Sequence, residues 1–357
     1  MEDTIAVEKK RGRPPVELTD TRLLNDENLL RRIAEMYYNE GVSQENIANR
    51  VATSRQFVSR ALQRARELGI VRITIAPDER AGFLQNLARQ ARSLLGLEDI
   101  IIVPGHATNT STPVTSGVDS GNDVVNAIAL AAQEYLDQLL TDNDTVAVSG
   151  GKRFIRNMLR HAHPTKILEH LEVVASIGFV EPHTTTGDAN LIAYDLASMY
   201  GARHTWFPCP AFMQTPQEVE FIRQLPMVRR AYTLMQNATI VLTSVWQPEY
   251  QLLIDQGYLT YEDEERIKAF HPVADINHWL FDEEGRCVNL LLDPPPYFLT
   301  GLDLPAFKQR LRQGVTRIIL VAGGNPSYLD TIRAIIRAGL VSILITDHLT
   351  AQQLVQR

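Results

Sequence analysis

Two segments of the sequence have the composition of an anion-binding loop, because each joins an apolar run to a glycine pair and then to a helical pattern. They read VAVSGGKR at residues 146–153 and LVAGGNPS at residues 320–327. Glycines let the backbone turn sharply, so that N–H groups at the start of the next helix can face an anion. The predicted ligand-binding residues of these segments are Ser149, Gly150, Gly151, Lys152, Arg153, Gly323, Gly324, Asn325 and Ser327. The alternative is that each glycine pair only makes a tight turn from strand to helix.

The first of these segments does not have the spacing of a nucleotide-binding loop. A Walker A loop needs a glycine five residues before the Gly-Lys pair and Ser or Thr after the lysine, and this chain has Val146 and Arg153 there. Lys152 beside a carbonyl group could instead form a Schiff base, as in some enzymes. No paired carboxylate or histidine base accompanies it at a recognisable spacing, which argues against catalysis at this segment.

The first part of the chain has the spacing of a DNA-reading module. Apolar periodicity predicts a helix that starts at Leu29, a short helix after Ser43 and a longer helix from Ser54 to about Leu68. The last two helices, joined by a tight turn at residues 52–53, form a helix-turn-helix, whose second helix lies in the major groove. Base edges would be read by Ser54, Arg55, Gln56, Ser59 and Arg60, and phosphates would be bound by Ser43, Gln44 and Arg64.

The charge distribution fits this interpretation. The chain carries a net charge of −7, yet residues 50–72 hold arginines at 50, 55, 60, 64, 66 and 72 against the single acid Glu67. A local basic face on an acidic protein is typical of a nucleic-acid-binding module, although a solvated helix face has the same charge. Residues 10–14, KRGRP, look like the core of an AT-hook, in which Arg11, Gly12 and Arg13 would enter an A·T minor groove. A random basic tail is the alternative there.

Periodicity and composition divide the chain into four parts. Residues 1–27 have no hydrophobic period and are predicted to be a disordered tail. Residues 28–76 are predicted to form the helix-turn-helix domain, with a strand at residues 71–75 that would make it winged. Residues 77–97 are predicted to form a connector helix, whose apolar stripe must pack on the next domain or on another subunit. Residues 98–357 are predicted to form an effector domain.

The last part alternates apolar runs with helical stretches. Strands are predicted at residues 99–103, 145–149, 172–177, 239–245, 317–322 and 341–346. Helices are predicted at residues 124–140, 154–161, 190–200, 217–225, 227–236, 304–313 and 328–337. Continuous apolar strands separated by helices indicate a parallel sheet covered on both faces. The predicted fold class is therefore α/β, with a doubly wound, mostly parallel α/β/α domain after the helical one.

Composition excludes several classes of protein. The chain has 357 residues, of which 45% are hydrophobic and 22% charged, as in soluble globular proteins. It has no run of 18 apolar residues, so no membrane partner is expected, and its first residues lack the apolar stretch of a signal peptide. The two cysteines, Cys209 and Cys287, provide neither a disulfide framework nor a metal-binding spacing. A cytoplasmic protein without a metal or cofactor is expected.

Residues 41–75, GVSQENIANRVATSRQFVSRALQRARELGIVRITI, strongly resemble the DNA-binding segment of the SorC/DeoR-type sugar-responsive transcription regulators. The shared elements are Ser-Gln, Ile-Ala, Ser-Arg, Val-Ser-Arg, Ala-Arg and Gly-Ile-Val. Ala52-Thr53 differs slightly from the usual turn residues of that family. In this family the DNA-binding segment is followed by a sugar-binding domain.

The resemblance continues through most of the chain. Residues 145–153, the element VADI…FDEEGR at residues 273–286 and residues 317–347 are similar to the family's sensor domain, which has the fold of glucosamine-6-phosphate deaminase and ribose-5-phosphate isomerase. The resemblance implies that Asp275 hydrogen-bonds sugar hydroxyls and that the two glycine segments hold a phosphate.

This chain departs from the family pattern in two ways. The family's lysine after the second glycine pair is missing, because Ser327 or Tyr328 stands in its place. The first segment carries Lys152 and Arg153 where relatives commonly have small or hydroxyl residues. Either the positive charge has moved from one loop to the other and a phosphate is still bound, or the effector is unphosphorylated.

We therefore expect a cytoplasmic transcription regulator of a carbohydrate-utilisation operon that binds palindromic operator DNA as a homodimer or homotetramer. A sugar, polyol or sugar phosphate would control it from the C-terminal ends of the strands. The alternatives are the sugar-phosphate enzyme, with the helical part as an interaction module, and an architectural DNA-binding protein that is indifferent to sugars.

Overall fold

The computed structural model describes residues 23–71, 80–105, 123–160, 162–180 and 187–356. The chain divides into two compact units, with the boundary between residues 77 and 78. Several predictions lie outside the described residues: the AT-hook-like segment with Arg11, Gly12 and Arg13, the strand of residues 71–75 beyond Val71, and the polar stretch of residues 106–122.

The first unit is a small helical bundle. Its helices are α1 (Glu27–Ala34), followed by a π-helical turn (Glu35–Asn39), α2 (Gln44–Arg50) and α3 (Arg55–Glu67). The three helices bury a common core, which includes Leu30, Ile33, Ile47, Phe57, Val58, Ala61 and Leu62. Gly41 and Gly69 take the left-handed conformation after the π-helical turn and after α3, with φ of 67° and 72°. Glycine adopts this conformation at no steric cost, so both helical segments end where the sequence predicted.

Side-chain caps fix the starts of α2 and α3. The Ser43 hydroxyl accepts a hydrogen bond from the Asn46 N–H at 3.3 Å, and the Ser54 hydroxyl accepts one from the Phe57 N–H at 3.1 Å. Ala52, in the turn between the two helices, has a left-handed backbone with φ of 52°. An alanine in this region is strained, because its Cβ crowds the following carbonyl oxygen.

The second unit contains α4 (Arg80–Leu95), which packs on the first strand and on the last helix of the unit. The strands of its main sheet are β1 (Asp99–Val103), β2 (Thr145–Val148), β3 (Glu172–Ala175), β4 (Arg203–Thr205), β6 (Ile240–Thr243), β10 (Arg317–Val321) and β11 (Ile343–Asp347). Two small antiparallel pairs are formed by β5 (Phe212–Met213) with β9 (Phe298–Leu299) and by β7 (Ala274–Ile276) with β8 (Trp279–Phe281).

The remaining helices cover the main sheet or build the part around the small pairs. They are α5 (Asp123–Leu139), α6 (Ile155–Arg160), α7 (Ala189–Tyr200), α8 (Pro216–Gln224), α9 (Pro226–Gln236), α10 (Gln251–Asp255), α11 (Tyr261–Lys268), α12 (Leu304–Arg312), α13 (Leu329–Arg337) and α14 (His348–Val355). Of the described helices, none is long and apolar enough to cross a membrane.

The main sheet has the strand order β1-β11-β10-β6-β2-β3-β4, and all neighbours are parallel. Successive side chains of a strand point to opposite faces of the sheet, and each face has its own apolar cluster. Ala147 and Val174 belong to one cluster, and their neighbours Val146 and Val173 belong to the other. The predicted parallel sheet is therefore confirmed. All six predicted strands belong to it, and their bounds differ from the prediction by a few residues.

We expect Ala52→Gly to raise the free energy of unfolding of the first unit slightly, by about 0.5 kcal/mol, because glycine removes the left-handed strain but gains entropy in the unfolded chain. Ala52→Val should lower it by about 1 kcal/mol or more, because a β-branched residue is least tolerated at positive φ. Denaturant unfolding followed by circular dichroism measures both variants. Equal stability of the two would contradict the turn conformation.

Candidate functional site

The strand order of the main sheet reverses between β2 and β6. From β2 the chain moves to β3 and β4 in one direction, and from β6 it moves to β10 and β11 in the other. Ligands of open parallel sheets bind at the C-terminal ends of the strands beside such a reversal. The first glycine segment follows β2 directly, and the second follows β10, on the other side of β6. Both predicted loops therefore lie at the edge of the sheet where a ligand is expected.

Arg153 connects the two glycine loops. Its guanidinium carbon lies 5.2 Å from the ring centre of Tyr328 and 5.3 Å from that of Phe154. A Cβ placed on Gly324 would lie 3.6 Å from the Arg153 Nη2 atom. The positive charge that begins in the first loop therefore reaches the second loop, where the family's lysine is missing. Lys152 is exposed, and its side chain lies against Gly187 instead.

The backbone of the first loop is fixed by contacts within the protein. Ser149 is fully buried, and its N–H donates to the Leu242 carbonyl at 3.0 Å. The Gly151 N–H donates to the Gly187 carbonyl at 3.1 Å. A Cβ on Gly150 would lie 2.6 Å from the same Gly187 oxygen. Gly150 is thus required for close packing, and the Gly151 N–H already has an acceptor.

The second loop is held in the same way. Gly323 and Gly324 have φ of 137° and 72°, and the Gly324 N–H donates to the Asp347 Oδ2 atom at 2.6 Å. The Asn325 side-chain oxygen accepts a hydrogen bond from the Ser327 N–H at 2.9 Å, and Ser327 itself is exposed. Because these N–H groups have partners, the Arg153 side chain is the group best placed to bind an anion there.

Asp275 lies on the β7–β8 hairpin, beside the first loop. Its backbone exchanges two hydrogen bonds of 2.8 Å with Trp246, and the Trp246 ring lies 3.0 Å from where a Cβ on Gly151 would be. The Asp275 carboxylate accepts the His278 N–H at 2.9 Å. The structure therefore brings Asp275 and the first loop together through Trp246.

The tip of this hairpin is fastened to the main sheet. Asn277 and His278 have left-handed backbones, with φ of 52° and 65°. The buried Asn277 side chain donates to the Ser176 hydroxyl at 3.0 Å and accepts from the Thr243 hydroxyl at 3.1 Å. Ser176 and Thr243 stand at the C-terminal ends of β3 and β6, so these bonds place Asp275 over the ligand edge of the sheet.

Two tyrosines, Tyr250 and Tyr297, lie close enough to Asp275 to feel its charge. The Tyr297 hydroxyl donates to the His278 carbonyl at 3.0 Å. Burial raises the pKa of Tyr250 and of Tyr297 above the usual tyrosine range, and the negative charge of Asp275 raises it further. The raised pKa values strengthen the preference that a tyrosine already has for its neutral form at physiological pH, in which its hydroxyl can donate a hydrogen bond.

In the first unit, four of the predicted base-reading residues share one exposed face of α3. These are Arg55, Gln56, Ser59 and Arg60, on the side away from the buried Phe57, Val58, Ala61 and Leu62. Ser43 and Ser54 are exposed helix caps, and Gln44 is half-buried at the start of α2. Arg64 forms a 3.1 Å ion pair with Glu67, so its charge is partly neutralised.

Three residues that support the loops were not predicted from the sequence. Asp347 is the acceptor for the Gly324 N–H, Asn277 fastens the hairpin, and Trp246 joins the hairpin to the first loop. Asp347 is the polar last residue of the otherwise apolar strand β11, and this pattern could have identified it. Within the described part of the chain, no group of three or more His, Cys, Asp or Glu residues could hold a metal ion.

A family model for a sugar-binding domain, Sugar-bind, matches residues 79–356. The chain belongs to the Sugar-bind family. It is 26% identical over 340 residues to the transcriptional regulator YjhU of Escherichia coli strain K12, covering 94% of this chain and 96% of that protein. It is also 26% identical over 325 residues to the deoxyribonucleoside regulator of Bacillus subtilis strain 168, covering 90% of this chain and 95% of that protein.

Among solved structures, the full-length sorbitol operon regulator SorC of Klebsiella pneumoniae has a similar fold. The TM-score is 0.71 at 20% sequence identity, and the match covers 93% of the whole chain and 99% of the SorC chain. The predicted resemblance to SorC/DeoR-type sugar-binding regulators is thereby confirmed. The full-length matches extend beyond the Sugar-bind domain into the first unit.

We expect Gly323→Ala to destabilise the second unit much more than Gly339→Ala. Both glycines have positive φ, but nothing lies within 4 Å of a Cβ on Gly339, whereas one on Gly323 would lie 2.5 Å from the Thr346 hydroxyl and 2.7 Å from Asp347 Oδ2. Backbone strain alone should cost about 1 kcal/mol at Gly339, and strain with overlap about 3 kcal/mol at Gly323. Denaturant unfolding of the two variants measures the difference, and equal losses would contradict the crowding at Gly323.

Proposed function

We propose that this protein is a DNA-binding transcription regulator of a carbohydrate-utilisation operon, controlled by a small sugar-like effector. The observation that carries the proposal is the Arg153 guanidinium at the second glycine loop, at the edge of the sheet where the hairpin with Asp275 is fastened. An acidic hydrogen-bond acceptor for hydroxyls and a cation for an anion thus stand at the same edge of the sheet. The membership of the Sugar-bind family supports this class of ligand.

The two sides of the site determine which effector we propose. Asp275 would accept hydrogen bonds from sugar or polyol hydroxyls, as the family resemblance implies. Arg153 would bind the anion, because a guanidinium offers two parallel N–H groups to a phosphate. Ser149–Lys152 and Gly323–Ser327 would form the walls around it. We therefore propose a sugar phosphate or polyol phosphate, with the unphosphorylated sugar or polyol as the alternative.

We propose that α2 and α3 are the helix-turn-helix of residues 28–76 and that α3 enters the major groove. Ser54, Arg55, Gln56, Ser59 and Arg60 would reach base edges, and Ser43, Gln44 and Arg64 would contact the backbone of the duplex. The exposed face of α3 and the full-length similarity to named transcriptional regulators support this. Residues 1–27, with Arg11, Gly12 and Arg13, would add contacts in the minor groove.

We propose that the regulator works as a cytoplasmic homodimer or homotetramer on a palindromic operator. A two-fold protein matches a two-fold DNA site. The effector must bind one subunit arrangement better than the other, since a ligand with equal affinity for both changes nothing.

The enzyme alternative is less well supported. A Schiff-base lysine needs a desolvated site that lowers its pKa, and Lys152 is exposed to solvent. The full-length relatives described above are named as regulators. Turnover of a sugar phosphate without DNA binding would favour the enzyme.

The effector class can be tested by thermal unfolding of the full chain with paired compounds. The panel holds sorbitol and deoxyribose, taken from the names of the relatives, and further sugars, each with and without phosphate. A ligand at about 100 times its Kd should stabilise the native state by about 2.7 kcal/mol. We expect phosphorylated members to raise the transition temperature, and Arg153→Ala to abolish the shift while Lys152→Ala retains most of it. Equal shifts with unphosphorylated compounds would contradict the phosphate.

The DNA-binding surface can be tested with Arg55→Ala and Arg64→Ala. We expect Arg55→Ala to abolish discrimination between operator and unrelated DNA, because a lost base contact costs about 1–3 kcal/mol. Arg64→Ala should weaken binding to both DNAs alike. Fluorescence anisotropy at fixed salt measures the affinities, and the thermal shift with the effector is the control for an intact second unit. Retained discrimination by Arg55→Ala would show that α3 is not the recognition helix.

A further inference from the structure

The carboxylate of Asp347, at the end of β11, is buried and holds two other segments of the chain. Its side chain is 2% exposed. One oxygen accepts the Gly324 N–H at 2.6 Å and the Thr350 hydroxyl at 2.7 Å. The other oxygen accepts the N–H groups of Leu349 and Thr350 at 3.0 and 3.1 Å. Asp347 therefore caps α14 and holds the second glycine loop with the same carboxylate.

Two glycines leave no space around this carboxylate. A Cβ on Gly323 would lie 2.7 Å from Asp347 Oδ2, and a Cβ on Gly105, in the segment after β1, would lie 2.8 Å from Asp347 Oδ1. The backbones of both segments are thus packed directly on Asp347. Because packed groups of this kind cannot slide past each other freely, a displacement of the second loop has to move Asp347 and the start of α14.

The next residue, His348, extends the junction to α4. Its Nδ1 atom accepts the Gly105 N–H at 2.7 Å. Its ring and that of Phe83 of α4 are nearly perpendicular, at 81°, with the ring centres 6.4 Å apart. Phe83 is 45% exposed, and the His348 ring is one of its packing partners.

Helix α4 is fixed along the same surface. It packs on α14 and on β1, and it buries Leu87 and Ala91. The polypeptide that precedes α4 leads directly to the first unit. A continuous set of contacts thus runs from the second glycine loop through Asp347 and His348 to α4, the first described helix of the second unit.

We propose that Asp347 and His348 couple the second glycine loop to α4, so that an effector bound at the loop changes the stability of α4. The proposal rests on the proposed function, because it assigns the regulatory output of that site. In this arrangement Asp347 positions the loop, and His348 with Phe83 carries the change to α4. A ligand alters α4 only through a difference in its affinity for the two states of these contacts.

Amide hydrogen exchange of the full chain tests this coupling. The probe is the member of the sugar and sugar phosphate panel that raises the unfolding transition most. In the unaltered protein it should slow exchange both in residues 320–329 and in residues 83–95, the latter by about fivefold or more, the lower end of typical coupling. In His348→Ala the loop should be protected as before, while the effect on residues 83–95 is lost.

Two further variants make the result decisive. Phe83→Ala removes an exposed ring from α4, so it should fold and should lose the effect as His348→Ala does. His170→Ala, which removes a surface histidine bonded to Asp142, should behave as the unaltered protein.

Equal slowing of residues 83–95 in all variants would overturn the coupling through His348. Protection of the loop without any change in α4 of the unaltered protein would also overturn it, and would leave the proposed effector site standing. If no panel member protects the loop, the proposed function fails and the coupling fails with it.

Discussion

All seven strands of the main sheet run in one direction, and this constraint places every functional loop of the second unit. The segments after β1, β2, β3, β6, β10 and β11 all emerge at one edge of the sheet. The strand order reverses between β2 and β6, and open parallel sheets bind their ligands beside such a reversal. Arg153 and Asp347 lie far apart in the sequence, and the parallel arrangement brings their segments to this edge. The hairpin that carries Asp275 is fastened to the same edge by the Asn277 hydrogen bonds.

The strands of this sheet could be predicted from the sequence because both of their faces are buried, which gives continuous apolar runs such as residues 317–321. β4 was missed for the opposite reason. It is an edge strand with the polar sequence Arg203-His204-Thr205, and it has only one neighbour. The small pairs were missed because two or three residues are too short to show a period, and α14 was missed because it begins immediately after its strand.

The two glycine loops of the candidate site could be predicted from the sequence, but the hydrogen bonds that hold them could not. Glycine pairs after apolar strands identified both loops. The partners of their N–H groups, the Gly187 carbonyl and the Asp347 carboxylate, are 36 and 23 residues distant, and no local pattern indicates them. The Arg153 side chain packs on Tyr328, which is more remote still in the sequence. The sequence therefore shows that the positive charge belongs to the first loop, but not that the Arg153 guanidinium lies beside the second.

The hairpin that carries Asp275 and the loop that carries Arg153 are separate pieces of chain. They meet through Trp246, whose contacts with the hairpin are made by its backbone and whose ring packs on Gly151. The Asp275 side chain takes no part in the backbone hydrogen bonds between the hairpin and Trp246. Over evolutionary time, a protein built in this way can exchange the side chain at this position of its hairpin without rebuilding its glycine loops.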